Sequence, residues 1–218
     1  AATRRMAADL ENLHGVLAAL MGGEPEPVRP SFVYLLGSRR AFERLAPRPE
    51  RGAAPVCCFF LDGPDAGYLV VDASRAEEAT RTLYHEYVHQ LAADLLPGLP
   101  LWFDEGLAEL YQSFRLAEGG AEIGRPAPEH LARLGQGRLL PLEDVLAVRH
   151  DSPLYTSSAD KPLLYAQCWA LVHSLVLGEP QRAAATRSFL GRVRRGEDPR
   201  AAAAAELGDD LATLESEV

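Results

Sequence analysis

His85-Glu86-Tyr87-Val88-His89 places two imidazoles four residues apart with a carboxylate beside the first. On a helix, positions i and i+4 lie on one face, roughly 5–6 Å apart at Cβ, so both rings can reach one metal ion. Glu86 lies about 100° further round and can address a water at that ion without binding the ion itself. With 6 histidines in 218 residues, such a pattern arises by chance on the order of once per hundred chains. Alone, it also fits an amphipathic helix with two solvated histidines.

The residues downstream favour the metal. The helix continues through Gln90–Leu96, and Pro97-Gly98-Leu99-Pro100 forces a reversal, because Pro and Gly both interrupt helices. A second helical pattern follows: Leu101-Trp102-Phe103-Asp104-Glu105-Gly106-Leu107-Ala108-Glu109-Leu110-Tyr111. About 10 Å of helix separates His89 from the turn, and Glu105 lies about 6–8 Å into the returning helix. Glu105 therefore comes back near the level of the histidines. Two His and one Glu leave a tetrahedral position open for water, the catalytic type of zinc site. Asp104 competes as third ligand but points about 100° away from Glu105. Glu109, one turn beyond Glu105, suits an outer position accepting the N–H of a ligand histidine; the bland alternative is a solvated helix glutamate. Cys57 and Cys58 are adjacent and Cys168 is isolated, so no cysteine-based zinc site or disulfide framework is implied.

The two segments together resemble the gluzincin metallopeptidases, whose third ligand is the Glu of a Trp-x-x-Glu-Gly-x-Ala segment. Within that clan the chain is most similar to small bacterial peptidase-MA-like domains. The resemblance is close over residues 85–111 and looser over 31–84 and 162–218. It implies Zn2+ held by His85, His89 and Glu105, with Glu86 as general base. It also implies an α+β, zincin-like fold: a small mixed sheet with an active-site helix, then a mainly helical C-terminal part. Residues 1–113 would carry the two motif helices, and residues 114–218 would close the cleft, together forming one catalytic unit.

A further likeness is Tyr165-Ala-Gln-Cys-Trp-Ala-Leu-Val-His173, similar to the helical segment from which gluzincin aminopeptidases use a Tyr hydroxyl to hold the oxyanion. Mapped here, that residue is Tyr165. The chain departs from the pattern in having Gln167-Cys168 where the aminopeptidases have Lys-Gly. Tyr165 equally suits a core position with Trp169 and Val172. Tyr155 and His173 are further candidates for the same task.

Elsewhere, residues 4–20 carry a stripe of Met6, Leu10, Leu13, Leu17 and Leu20 that predicts a helix, ended by Gly22-Gly23 and the Pro-rich stretch after it. Phe32–Leu36 reads as a strand, 38–46 as a helix, and 47–55 as a loop. Val56–Leu61 and Tyr68–Val71 read as a hairpin. In related peptidases the strand at Tyr68–Val71 is a sheet edge that pairs with substrate; an interior strand is the alternative. Ser74 is placed to cap the motif helix, with Glu77 three residues on. Leu83, Tyr84, Tyr87, Val88, Leu91 and Leu95 form that helix's apolar side, while Ala92 and Ala93 leave room beside the histidines. A loop-rich stretch to Pro128 precedes helices near 129–135 and 141–148, and a second loop, Arg149–Pro162, precedes the Tyr165 helix. Glu179-Pro180 and Asp198-Pro199 read as helix starts. His14 and His130 are expected to face solvent on helices, with His150 in a loop.

A net charge of −9 argues against nucleic acid as a partner; the resemblance implies a peptide or protein substrate. No apolar run approaches the roughly 20 residues of a membrane span. The chain opens at Ala1 without a signal-like core, which fits a trimmed mature chain or an excised domain, soluble and either exported or cytoplasmic. The expected activity is zinc-dependent peptide hydrolysis; the competing expectations are a catalytically silent zinc-binding scaffold or peptide-binding module, and a zinc hydrolase acting on something other than peptides. Oligomeric state leaves no signature.

Overall fold

Leu10, Leu13 and Leu17 are buried along one stripe of the first helix, α1 (Ala2–Leu20), with Met6 and Leu20 packed at its margins. The structure, a computed structural model, describes residues 2–20, 30–46, 56–156 and 159–217. The expected break after α1 at residues 22–29 and the loop at 47–55 lie outside these. Among the described residues α1 is followed by β1 (Ser31–Leu36), α2 (Arg39–Glu43), β2 (Cys58–Asp62) and β3 (Gly67–Asp72). A 3-10 turn (Ala73–Arg75) then leads into α3 (Ala76–Leu95) and α4 (Leu101–Tyr111). A short hairpin, β4 (Arg115–Ala117) and β5 (Gly120–Glu122), precedes α5 (Pro128–Leu134), α6 (Leu142–Leu146) and α7 (Pro153–Thr156). Three longer helices close the order: α8 (Lys161–Leu177), α9 (Pro180–Arg194) and α10 (Pro199–Glu217). The fold is α+β, mainly helical with small sheets of two and three strands.

The three-stranded sheet has the order β1-β3-β2, with β1 parallel and β2 antiparallel to β3. Tyr68–Val71 is therefore an interior strand, the second of the two readings open from the sequence, and not the edge found in related peptidases. The run Tyr-Leu-Val-Val explains the position: both faces of a central strand are covered, so it carries consecutive β-favouring apolar residues. Leu69 and Val71 join the main core under α3, while Val70 faces the other way onto Phe59 and Phe42 of α2. Among the described strands, β2 is the edge that runs beside α3.

Two buried polar contacts set α3 on the sheet. Gln90 Nε2 donates to Ser31 Oγ at 2.6 Å, and its amide lies where a Cβ on Gly67 would be, 2.5 Å away. Asp72, wholly buried, accepts from the Ser74 backbone N–H at 3.1 Å and the Ser74 hydroxyl at 2.5 Å, and lies 3.5 Å from Arg39 Nη1. Ser74 thus serves the strand end rather than the helix; Arg75 occupies the N-cap of α3 without a side-chain bond.

The reversal after α3 is as expected. Gly98 takes φ +81°, a left-handed conformation that glycine adopts at no steric cost. Phe103 and Asp104 N–H both donate to Pro100 O, starting α4. All of α4 except Asp104 is buried, because α3 covers one side and α8 the other. A Cβ on Gly106 would sit 2.3 Å from Cys168 O and 2.5 Å from Val172 Cγ2, so at this glycine the α4 backbone packs directly on both backbone and side chain of α8. One apolar core runs from Leu10 to Leu211 and draws on both halves of the chain. Asp198 Oδ1 accepts from Ala201 N–H at 2.9 Å and caps α10; Glu179 precedes α9 without such a bond. No described helix is long and apolar enough to cross a membrane.

Candidate metal centre

His85 and His89 project from one face of α3, and Glu105 reaches them from α4. The two Nε2 atoms are 3.0 Å apart, and Glu105 Oε2 lies 3.6 Å from His85 Nε2 and 3.4 Å from His89 Nε2. A tetrahedral ion with ligand distances of 2.0–2.1 Å needs ligand atoms about 3.3 Å apart, which is the mean edge of this triangle. Glu105 Oε2 is buried with no hydrogen-bond partner. A buried, charged oxygen without a partner is costly unless something else compensates it, and an ion among the three atoms would do so. These residues form the group among the described residues that could hold a metal ion.

The other Glu105 oxygen is fully engaged. Tyr155 Oη donates to Oε1 at 2.9 Å and Tyr165 Oη at 3.1 Å. Two phenols on Oε1 fix the carboxylate plane and leave Oε2 turned toward the imidazoles. Tyr155 comes from α7, a four-residue helix inside the expected loop, and Tyr165 from α8. Burial and the charge of Glu105 raise both phenol pKa values far above the ordinary range, so both remain donors.

Each histidine also has a carboxylate at its second nitrogen. Asp104 Oδ2 lies 2.9 Å from His89 Nδ1, and Glu109 Oε1 lies 3.5 Å from His85 Nδ1. Asp104 is thus no third ligand but the partner behind a ligand histidine, an arrangement that fixes tautomer and ring orientation. Glu109, read from the sequence as an outer residue behind a histidine, lies beside His85. Its Oε2 also accepts from Gln112 and faces His130 Nε2 at 2.7 Å.

His130 is 7% exposed, against the expectation of a solvent-facing side chain; Glu109 and the Trp169 ring, 6.0 Å away, enclose it. Its sequence surroundings carry no sign of this, because its partners lie on α4 and α8. His14 is likewise half-buried, its Nδ1 3.3 Å from Tyr87 Oη. His173 packs on Trp169 with ring centroids 5.0 Å apart, about 12 Å along α8 from Tyr165.

Electrostatics follow from this crowding. Burial disfavours a charged His89, but the hydrogen bond to Asp104 and the adjacent Glu105 carboxylate outweigh it and push its pKa up to about 11. Burial likewise opposes the charged form of Glu105, yet His85 and His89 hold its carboxyl far below the usual carboxylate range. Glu86 is half-buried and has no hydrogen-bond or ion-pair partner among the described residues. Burial, and to a smaller extent the Glu86 carboxylate, raises the thiol pKa of Cys58 on edge strand β2.

Residues 79–192, just over half of the chain and including every residue of this centre, match a family described as Protein of unknown function (DUF1570). No curated protein and no solved structure matches the chain.

Proposed function

The chain belongs to the DUF1570 family of proteins of unknown function, and we propose that it is a zinc-dependent peptidase of the gluzincin kind. The observation that carries the reading is the His85–His89–Glu105 triangle with a free carboxylate, Glu86, one residue from its first member. His and carboxylate donors in a site of this size suit zinc among the divalent metals. Zinc there would supply a Lewis acid for the scissile carbonyl and would lower the pKa of water to about 7.

The protein's own part is proton transfer and positioning. Glu86 takes the proton of the attacking water on its carboxylate and delivers it to the departing amine. Having no hydrogen-bond or ion-pair partner among the described residues, it needs to break no bond to them to do so. Tyr165 is the donor to the developing oxyanion. With Tyr155 already bound to Glu105 Oε1, the Tyr165 hydroxyl can leave that oxygen without stripping it of every donor. Asp104 and Glu109 hold the two rings in place.

The test compares Glu86→Gln with Glu105→Ala on purified protein, reading zinc content and cleavage of a peptide library. The expected result is that Glu86→Gln keeps stoichiometric zinc and loses about 10²–10⁴ in turnover, whereas Glu105→Ala loses zinc. Unchanged hydrolysis by Glu86→Gln would remove the base assignment. Zinc bound by the wild-type protein with no peptide cleaved would leave a silent zinc-binding scaffold.

A further inference from the structure

Among 22 basic residues Lys161 is the single lysine, and its place is unusual for a cation. Lys161 opens α8, where the helix dipole is positive and disfavours a further positive charge. The side chain is half-buried. Its ammonium lies 4.2 Å from the centroid of the Tyr155 ring and 5.5 Å from that of Tyr165. Among the described residues it has no carboxylate and no hydrogen-bond acceptor; the adjacent Asp160 is directed to Arg138 at 3.5 Å. Two ring faces attract a cation, and among the described residues no oxygen accepts from its three N–H donors. The same two phenols donate to Glu105 Oε1. Following these contacts from ring to hydroxyl to carboxylate, the ammonium lies within about 10 Å of that oxygen, a reach of at most about three residues of extended peptide.

Resting on the peptidase reading above, we propose that Lys161 anchors a substrate carboxylate, so that the site selects peptides carrying a free carboxylate within about three residues of the bond cleaved. A peptide's terminal α-carboxylate and an Asp or Glu side chain offer the same chemistry. Either would supply an acceptor to the ammonium and form a charge-assisted bond. The cation–π contacts hold the ammonium beside the centre so that little ordering remains to be done when the carboxylate arrives.

The experiment uses zinc-loaded protein and three peptides sharing one cleavable bond: a free C-terminal acid, its amide, and an amide with Glu at the same distance. In the wild type kcat/KM for a carboxylate-bearing peptide exceeds that of the neutral amide by about 10-fold or more. The first and third peptides tell an α-carboxylate from a side chain. Lys161→Met keeps a chain of similar shape over the rings and brings the ratio close to 1; Lys161→Arg retains it. Binding of the same peptides to Glu86→Gln protein, by calorimetry, shows the same preference and its loss when Lys161→Met is added.

A wild-type ratio near 1, or a Lys161→Met variant that weakens all three peptides alike, overturns the proposal; the latter would make Lys161 a support for the phenols. Cleavage without carboxylate preference removes the anchor and leaves the peptidase. A Lys161-dependent binding preference with no cleavage removes the peptidase and leaves the anchor.

Discussion

Asp104 Oδ2 stands 2.9 Å from His89 Nδ1 while the next residue, Glu105, places Oε2 3.4 Å from Nε2 of the same ring. Two consecutive residues of one helix thus address both nitrogens of one imidazole. The carboxylate behind the ring fixes its tautomer and strengthens it as a donor. Asp104→Ala is expected to weaken zinc binding by about 10–100-fold without abolishing it, and Asp104→Asn, which retains an acceptor, by less. Competition with a chromogenic chelator measures both. An unchanged affinity in Asp104→Ala would show that the ring needs no support.

The same pair gives zinc uptake a pH dependence of definite sign. A ligand imidazole must be neutral, yet in the metal-free protein His89 has its pKa pushed up to about 11. The raised value means that the protonated ring stabilises the metal-free fold fully below the ordinary pKa of about 6.5, and that this contribution is lost as pH rises through about 11. At pH 7 zinc must therefore displace about one proton from His89. Calorimetry in two buffers of different ionisation enthalpy should show that release, and affinity should rise with pH above 7. Asp104→Ala should diminish the release.

The metal triangle was legible in the sequence because it depends on local geometry. The spacing of His85 and His89 and the length of helix on each side of Pro97–Pro100 carry it. What lay beyond sequence was set by contacts between distant segments. His130 is buried by Glu109 and Trp169, and nothing in its own helix marks that. Tyr155 acquires its role from a four-residue helix too short to show a period. The β4–β5 hairpin is exposed along its whole length, so no alternation of apolar residues announces it. The interior position of β3 depends on β1, which returns to it across a long sequence separation.

Tyr155 and Tyr165 share one acceptor, so their substitutions should not add simply. Either Phe variant leaves Glu105 Oε1 one donor, and zinc content should survive in both. Tyr165→Phe should cost about 10²–10³ in kcat through loss of an oxyanion donor, and Tyr155→Phe much less. The double variant strands a buried carboxylate oxygen and should lose zinc affinity as well as turnover. Metal analysis with steady-state kinetics on the three variants separates these outcomes. Equal kcat losses in the two single variants would remove the distinction between the phenols.

Gly106 follows the third ligand directly, and its reason is steric. An added Cβ would meet Cys168 O at 2.3 Å, Cys168 C at 2.8 Å and Val172 Cγ2 at 2.5 Å. Two of these three are backbone atoms of α8, which cannot turn aside as a side chain can. Gly106→Ala must therefore push α8 from α4, at a cost of about 1–3 kcal/mol, or about 2–4 °C in Tm for each kcal/mol in a chain of this size. The same displacement draws Tyr165 away from Glu105, so kcat should fall along with stability. Gly15, exposed within α1 with nothing within 4 Å of a Cβ, is the internal control. Gly15→Ala removes only the helix penalty of glycine and should stabilise by up to about 1 kcal/mol. Thermal melts of the two variants should move in opposite directions, and a Gly106→Ala protein as stable as the parent would mean that the helices are not in the contact described.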